Sequence, residues 1–150
     1  MVGRKRRGIV ASLVVLGWAG LAEAAELRVP EDHATVGAAV AAAQAGDVVL
    51  VGPGTITGSV AATKSGITLM GAGTTWDGGV DASAQVCLQL TGDNNTVTGF
   101  SFVNGTDQVV LVGANSRVLD CTSTDAGGAF CVLRGRGSKV VGCHVLAPLN

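Results

Sequence analysis

Four basic residues in the last third of the chain have the types and spacing that suit ligand binding. Arg117 and Lys139 each stand directly before a valine in two similar phrases, SRVLDC and SKVVGC. Arg134 and Arg136 belong to the glycine-rich segment LRGRGS. A guanidinium fork matches the two oxygens of a carboxylate, so these side chains are candidates for contacting an acidic sugar. The alternative is an ordinary solvated surface, because exposure is the usual state of charged residues.

The acidic residues offer a second kind of chemistry. Five candidates are Asp77, Asp81, Asp107, Asp120 and Asp125. A calcium-assisted lyase needs several carboxylates on one face, beside a lysine or arginine base. No two of these acids share a repeat position, since Asp120 aligns with Gly99 and Gly142. The sequence therefore identifies no catalytic residues and no cofactor, and calcium is expected only if the protein is a lyase.

Four cysteines and a histidine are candidates for reactive or metal-binding groups. Cys121 and Cys143 are 22 residues apart and occupy the same place in successive repeats, so we expect them to stack. Parallel neighbours in register do not readily give the dihedral angle of a disulfide, so we favour buried thiols over a disulfide bond. Cys87 and Cys131 fall one residue apart in the repeat and need not meet. His144 faces away from Cys143 on an extended chain, so no metal site is predicted.

The first 24 residues are expected to be a signal peptide. A charged start, Arg4 to Arg7, precedes an apolar run from Ile9 to Leu21 and the small-residue site Ala22-Glu23-Ala24. The alternative is an N-terminal membrane anchor. Residues 25–150 then form one domain with six Lys/Arg, ten Asp/Glu and a net charge of −4. This charge and the few aromatic residues disfavour nucleic-acid binding, and the leader predicts a secreted, periplasmic or cell-envelope protein.

A repeat of 21 to 22 residues runs through the second half of the chain. The phrases NTVTGF, SRVLDC and SKVVGC align on Val97, Val118 and Val140. A second track with the same period consists of Leu90, Val112 and Leu133, closely followed by Gly92, Gly113 and Gly135. A fixed period above 20 residues indicates a stacked repeat protein.

Each repeat is too short for two helices. Its β-branched runs, separated by Gly, Asn, Asp and Ser, are typical of short strands and turns. Two or three such strands make one turn of a coil, and stacked turns pair each strand with its counterpart in parallel sheets. We therefore predict an all-β parallel β-helix with rungs over residues 47–150.

The segment before the rungs is predicted to cap the coil. Residues 27–29 form a strand and residues 30–32 a turn. Thr35 is the expected N-cap of a helix that runs through Gln44. This capping strand and helix, residues 27–46, would cover the first rung, which otherwise exposes unpaired backbone.

The first rungs are less regular than the later ones. Strands are expected at residues 47–51 and 67–70, with a turn at residues 52–54. Ile67 and Val97 are 30 residues apart, which is one period plus an insertion of about eight residues. We expect that insertion to include a loop at residues 74–79.

A family resemblance lies in two stretches, AVAAAQAGDVVLVGPGTITGSV (residues 39–60) and SGITLMGAGTT (residues 65–75), followed by Asp77-Gly78. They resemble the start of right-handed parallel β-helix proteins of the pectate-lyase-like superfamily, including NosD-like repeat proteins. The resemblance implies a right-handed, single-stranded parallel β-helix with a short capping helix. An interior turn of that group often carries a ladder of asparagines. The matching residues here are Phe100, Cys121 and Cys143, so an apolar ladder is expected.

Two functional hypotheses follow. The resemblance implies a carbohydrate-associated protein that binds or degrades polysaccharide, with acidic polysaccharide as the expected partner. The scattered acids favour instead a non-catalytic structural or accessory module of the cell envelope. The chain reaches residue 150 part-way through a repeat and without a cap. We therefore expect a truncated product, end-to-end self-association or a loosely folded last rung.

Overall fold

The computed structural model describes residues 23–79 and 86–146. They form an all-β parallel solenoid of about five turns, with about 22 residues per turn and a short helix, so the predicted fold class is confirmed. The predicted leader lies almost wholly outside the described residues. The elements are β1 (Glu26–Val29), α1 (Val36–Ala42), β2 (Val48–Val51), β3 (Gly54–Thr57), β4 (Val60–Ala62), β5 (Thr68–Asp77), β6 (Leu88–Thr91), β7 (Thr96–Val103), β8 (Val109–Val112), β9 (Arg117–Leu119), β10 (Thr122–Thr124), β11 (Cys131–Leu133), β12 (Lys139–Val141) and β13 (His144–Leu146).

Each turn of the coil has three sides. Side 1 stacks β1, β2, the first parts of β5 and β7, then β9 and β12. Side 2 stacks β3, the second parts of β5 and β7, then β10 and β13. Side 3 stacks β4, β6, β8 and β11. Every pairing is parallel, so backbone groups find partners one turn up or down.

The valine track is confirmed on side 1. Val97 pairs with Val118 and Val118 with Val140, in register. Val97 and Val118 are fully buried, whereas Val140 in the last turn is 44% exposed. Since side chains alternate along a strand, the residues before these valines face outward.

The predicted second track of Leu90, Val112 and Leu133 is wrong at its middle residue, by one position. Leu90 pairs with Leu111 and Leu111 with Leu133, so Leu111 rather than Val112 holds the interior position. Leu111 is fully buried, whereas Val112 is partly exposed. Both residues are apolar and the turns vary between 21 and 22 residues, so spacing alone could not choose between them.

The helix starts where it was predicted and ends earlier. Thr35 is the N-cap, and its side chain accepts a hydrogen bond from the Ala38 N–H at 3.2 Å. The last helical residue is Ala42, not Gln44. The Gln44 N–H donates at 2.8 Å to the Asp47 carboxylate instead, which takes the donor that a longer helix would need.

The predicted loop at residues 74–79 is wrong over most of its length. Thr74–Asp77 belong to β5 and pair with β3 and β7. Trp76 is 1% exposed, so a stretch with the composition of a turn contains the largest residue of the core. The equivalent of Val97 is Leu69, not Ile67. A register shift after Met70 takes up part of the extra length, and residues 80–85 lie outside the described part of the chain.

The interior is filled by columns of apolar side chains. Trp76, Phe100 and Phe102 form an aromatic cluster with ring centroids 5.6 to 5.9 Å apart. The ladder of Phe100, Cys121 and Cys143 is confirmed, because the residues that follow each of them are paired in register. Cys121 is fully buried, and Cys143 in the last turn is partly exposed.

Glycines allow the turns to approach closely at one corner. A Cβ atom on Gly113 would lie 2.0 Å from the carbonyl oxygen of Gly92, and one on Gly135 would lie 1.7 Å from that of Gly113. The backbones therefore touch directly along this column, where no side chain fits.

The two ends of the coil differ. At the start, α1 packs on β4, β1 and β2, whereas three of the four residues of β3 are exposed. At the other end, β11, β12 and β13 have no further strand beside them among residues 23–79 and 86–146. The described helix is not long and apolar enough to cross a membrane.

Candidate functional site

The basic residues singled out from the sequence lie on one edge of the coil. Arg117 in β9 pairs directly with Lys139 in β12, and both side chains are exposed. They face outward because the next residue in each strand, Val118 or Val140, belongs to the interior column. The predicted column of two cations is therefore confirmed.

Arg134 and Arg136 lie in the turn that leads from β11 into β12. The Arg134 N–H donates to the carbonyl oxygen of Leu111 at 2.9 Å, and the carbonyl oxygen of Arg136 accepts from the Asn115 N–H at 2.8 Å. Both side chains are exposed. The backbone of this turn is therefore held while the two guanidinium groups stay in solvent, three and five residues before Lys139.

A polar ladder fixes the chain directly before the two stacked cations. Asn95, Ser116 and Ser138 follow one another in successive turns. The Ser116 hydroxyl accepts from the Asn95 N–H at 3.4 Å, and the Ser138 hydroxyl accepts from the Ser116 N–H at 3.1 Å. The Ser138 hydroxyl also donates to the carbonyl oxygen of Gly113 at 3.0 Å. These bonds satisfy a buried turn and position the first residue of β9 and β12.

Among residues 23–79 and 86–146, none of the four cations is paired with an acid. Within the described ranges, the ion pair that forms is Arg28 with Glu26, at 2.7 Å and at the other end of the coil. Like charges directly opposite each other on neighbouring strands are destabilising. Arg117 and Lys139 therefore form, with Arg134 and Arg136, a positive surface that an anion would stabilise; we call these four residues the basic edge.

The candidate acids that the structure describes do not converge. The Asp77 carboxylate accepts from the Asn104 side chain at 2.8 Å and from the Gly79 N–H at 2.9 Å. These two hydrogen bonds lower the pKa of Asp77, so it stays ionised and is unsuited to donate a proton. Asp107 accepts from the Ala129 N–H at 2.9 Å. Asp81 lies outside the described residues.

Asp120 and Asp125 sit at corners of the coil. Both have left-handed backbone conformations, with φ of 48° and 54°. As predicted, Asp120 shares its corner with Gly99 and Gly142, which are also left-handed. Asp residues tolerate this conformation better than most residues do, so these two acids have a structural role in the turns.

The cysteines are free thiols, and Cys121 and Cys143 stack as predicted. The Cys121 N–H donates to the Cys143 sulfur at 3.4 Å. Cys131 pairs with Val109, which in turn pairs with Leu88. Cys87 directly precedes Leu88, so Cys87 and Cys131 stand one residue apart in the repeat, as predicted. No group of three or more potential metal ligands occurs among residues 23–79 and 86–146.

A row of hydroxyl groups on the outer face of side 2 was missed by the sequence reasoning. The paired residues in successive turns are Thr55, Thr75, Ser101 and Thr122, and His144 takes the same position in the last turn. The Thr122 hydroxyl donates to that of Ser101 at 2.9 Å. The sequence does carry a signal for this row, because a Ser or Thr directly precedes the inward-facing residues of side 2. The signal was missed because Thr75 and Trp76 were assigned to a loop at residues 74–79.

A cleft of about 440 Å³ opens at the start of the coil. It lies between the largely exposed strand β3 and the segment that leads into α1. Its apolar lining comes from Val29, Val36, Ile56, Val60 and Trp76. The indole N–H of Trp76 donates to the carbonyl oxygen of Gly58 at 2.9 Å. The cleft contains no charged residue and is distant from the basic edge.

Comparison of the chain with models of known protein families gave no match, and neither did comparisons with curated proteins or with solved structures.

Proposed function

We propose that this protein is an exported, non-catalytic β-solenoid that binds acidic polysaccharide through its basic edge. The observation that carries the proposal is the direct pairing of the exposed Arg117 and Lys139, which have no acidic partner among the described residues. Arg134 and Arg136 are exposed in the turn that leads to Lys139. Guanidinium groups recognise carboxylates in a two-pronged geometry, and stacked turns present cations at the regular strand spacing. The resemblance of the sequence to the pectate-lyase-like superfamily supports a carbohydrate partner, and the leader-like start supports export.

Binding is favoured over cleavage by the placement of the titratable groups. Asp77 and His144 both lie on side 2, but three strand spacings separate their turns, which is about 14 Å. An acid and a base that act on one glycosidic bond stand closer together than this, since even the two carboxyl groups of a glycosidase are only about 5 to 9.5 Å apart. The hydrogen bonds that lower the Asp77 pKa also remove it as a general acid. The described acids Asp77 and Asp107 accept hydrogen bonds within turns, which favours binding over calcium-assisted cleavage.

Binding is tested with polygalacturonate, alginate and chondroitin sulfate, against neutral dextran, by isothermal titration calorimetry at several salt concentrations. The double variant Arg117→Ala/Lys139→Ala is expected to bind acidic polymers about tenfold more weakly or worse, with a shallower salt dependence. Its side chains are exposed and unpaired, so the fold should be unaffected.

The single variants Arg117→Ala and Arg28→Ala are a matched pair, because each removes one exposed arginine and Arg28 lies at the far end of the coil. Arg28→Ala is the control. Its affinity should stay close to that of the wild type. Equal losses in both variants would mean that net charge, not the basic edge, governs binding. Equal affinity for dextran would contradict recognition of acidic groups, and unsaturated sugar products formed with calcium would contradict a non-catalytic role.

A further inference from the structure

The outer face of side 1 carries an apolar stripe. Side chains alternate along each strand, so the outward residues of this side form two columns. In the second column, four of the six residues are apolar. The first column is Glu26, Val48, Thr68, Thr96, Arg117 and Lys139, and the second is Arg28, Leu50, Met70, Thr98, Leu119 and Val141.

The stripe is open to solvent in the part of the chain that the structure describes. Met70 is 39% and Val141 is 55% exposed, and Leu50 and Leu119 are partly exposed. Each of them directly follows a residue of the interior column, so it points away from the core and away from the open edge of the last turn. An apolar patch with a polar border marks contact with another surface.

The charges of this face select the surface that it fits. The first column begins with Glu26 in β1 and ends with Arg117 in β9 and Lys139 in β12. The two cations have no acidic partner among residues 23–79 and 86–146. A second copy turned end for end would bring its Glu26 to these cations. An anionic lipid surface would instead place Glu26 against like charges.

We propose that two copies of this chain dimerise through the outer faces of side 1, with their coil axes antiparallel. The two-fold axis runs along the strands, between β5 and β7. Lys139 of one copy then lies opposite Glu26 of the other, and Leu119 lies opposite Leu50. Each contact occurs twice, so the interface is self-complementary and closes at a dimer.

The size of the face fits a weak and reversible dimer. Its six stacked strands span about 24 Å, and its two columns stand about 7 Å apart, since they are two residues apart along each strand. A contact of this size lies at the low end of specific interfaces. The proportion of dimer is therefore expected to change with protein concentration.

The inference does not rest on polysaccharide binding. Arg117 and Lys139 belong both to this face and to the basic edge, so a second copy and an acidic polymer compete for them. The dimer is therefore measured without polymer, and its failure leaves the calorimetric test of polysaccharide binding intact.

The test is sedimentation velocity of the full chain, expressed with its own leader, over a wide range of concentrations. The wild type is expected to shift from monomer to dimer, with no larger species, and added salt should weaken the dimer. Leu119→Asp would place a carboxylate against Leu50 of the other copy. The dissociation constant should therefore rise about tenfold or more.

The matched control is Val132→Asp in β11. Val132 is also apolar and partly exposed, and it faces outward because its neighbours Cys131 and Leu133 pair with the buried Val109 and Leu111. It lies on side 3, so this variant should dimerise like the wild type. Circular dichroism melts of both variants check that each remains folded.

A charge exchange tests the register of the two copies. Glu26→Lys and Lys139→Glu each place like charges opposite one another, so each variant alone should dimerise less than the wild type. An equal mixture of the two variants restores opposite charges at both contacts. The mixture should therefore dimerise more strongly than either variant alone.

Several results would overturn the proposal. A wild type that is monomeric at all concentrations, or that grows past a dimer, would exclude a closed pair. Equal effects of Leu119→Asp and Val132→Asp would show that side 1 is not the interface. A mixture of charge variants no more dimeric than its components would exclude the antiparallel register. Monomers that bind anionic lipid vesicles, and lose this binding in Leu119→Asp, would assign the face to a lipid surface.

Discussion

Burial raises the pKa of Cys87 and Cys121 to about 11 and that of Cys131 to about 12. The usual pKa of a cysteine thiol is 9.0, so below pH 9 both the folded and the unfolded chain keep these thiol protons. Between pH 9 and about 11, the unfolded chain loses them while the folded chain keeps them. The free energy of unfolding is therefore expected to fall with rising pH over this interval, measured as the urea midpoint.

Replacing one thiol isolates this effect from other alkaline titrations. Cys121→Ala removes a fully buried thiol that contributes to the slope. The variant is expected to be less stable at neutral pH, since it leaves a small cavity, but its stability should change less between pH 9 and about 11. Parallel pH curves for the variant and the wild type would show that the Cys121 proton is not linked to folding.

At the scale of the elements, the glycine column sets the closest approach between turns. Gly113→Ala would place a methyl group 2.0 Å from the Gly92 carbonyl oxygen. The two backbones would have to separate, so we expect a loss of about 2 kcal/mol or more in the free energy of unfolding, measured by urea denaturation.

Gly37→Ala in α1 is the matched control. Its added methyl group would meet only Val60 Cγ2, at an ordinary 3.9 Å. Because alanine favours helix over glycine, this variant should be stabilised by about 0.5 kcal/mol or more. A Gly113→Ala protein as stable as this control would mean that the turns can move apart freely.

The sequence predicted elements wherever the repeat was regular and failed where residues distant in the chain decide the structure. The strands of side 1 followed from the valine track. Trp76 followed by Asp-Gly-Gly has the composition of a turn, yet pairing with β3, 20 residues earlier, makes it part of a strand. The helix end depended on a hydrogen bond from Gln44 to Asp47. Leu111 and Val112 differ in burial by a one-residue shift, which spacing cannot resolve.

At the scale of the whole molecule, the basic edge was partly predictable. The repeat placed Arg117 above Lys139, because both precede an anchor valine. Sequence could not show that the acids are used elsewhere, since Asp77 binds the distant Asn104 and Asp107 binds the distant Ala129 N–H. The four cations have no acidic partner in the part of the chain that the structure describes, and only the folded coil could reveal this.

The register of β7, β9 and β12 makes one turn of the coil a transferable unit. Inserting a second copy of residues 117–138 after Ser138 keeps a serine before each joined segment. We expect a folded protein that is longer by about 4.8 Å, with a larger urea m-value. Small-angle scattering measures the length. An unfolded product would mean that the last turn depends on contacts specific to its place.

The same register links the length of the coil to the number of cations on its basic edge. Each added turn would bring another Arg117, Arg134 and Arg136 to the basic edge, at one strand spacing from the last. A coil that grows in such steps carries cations at a regular spacing along its length. Its affinity for a long polyanion would rise with the number of turns.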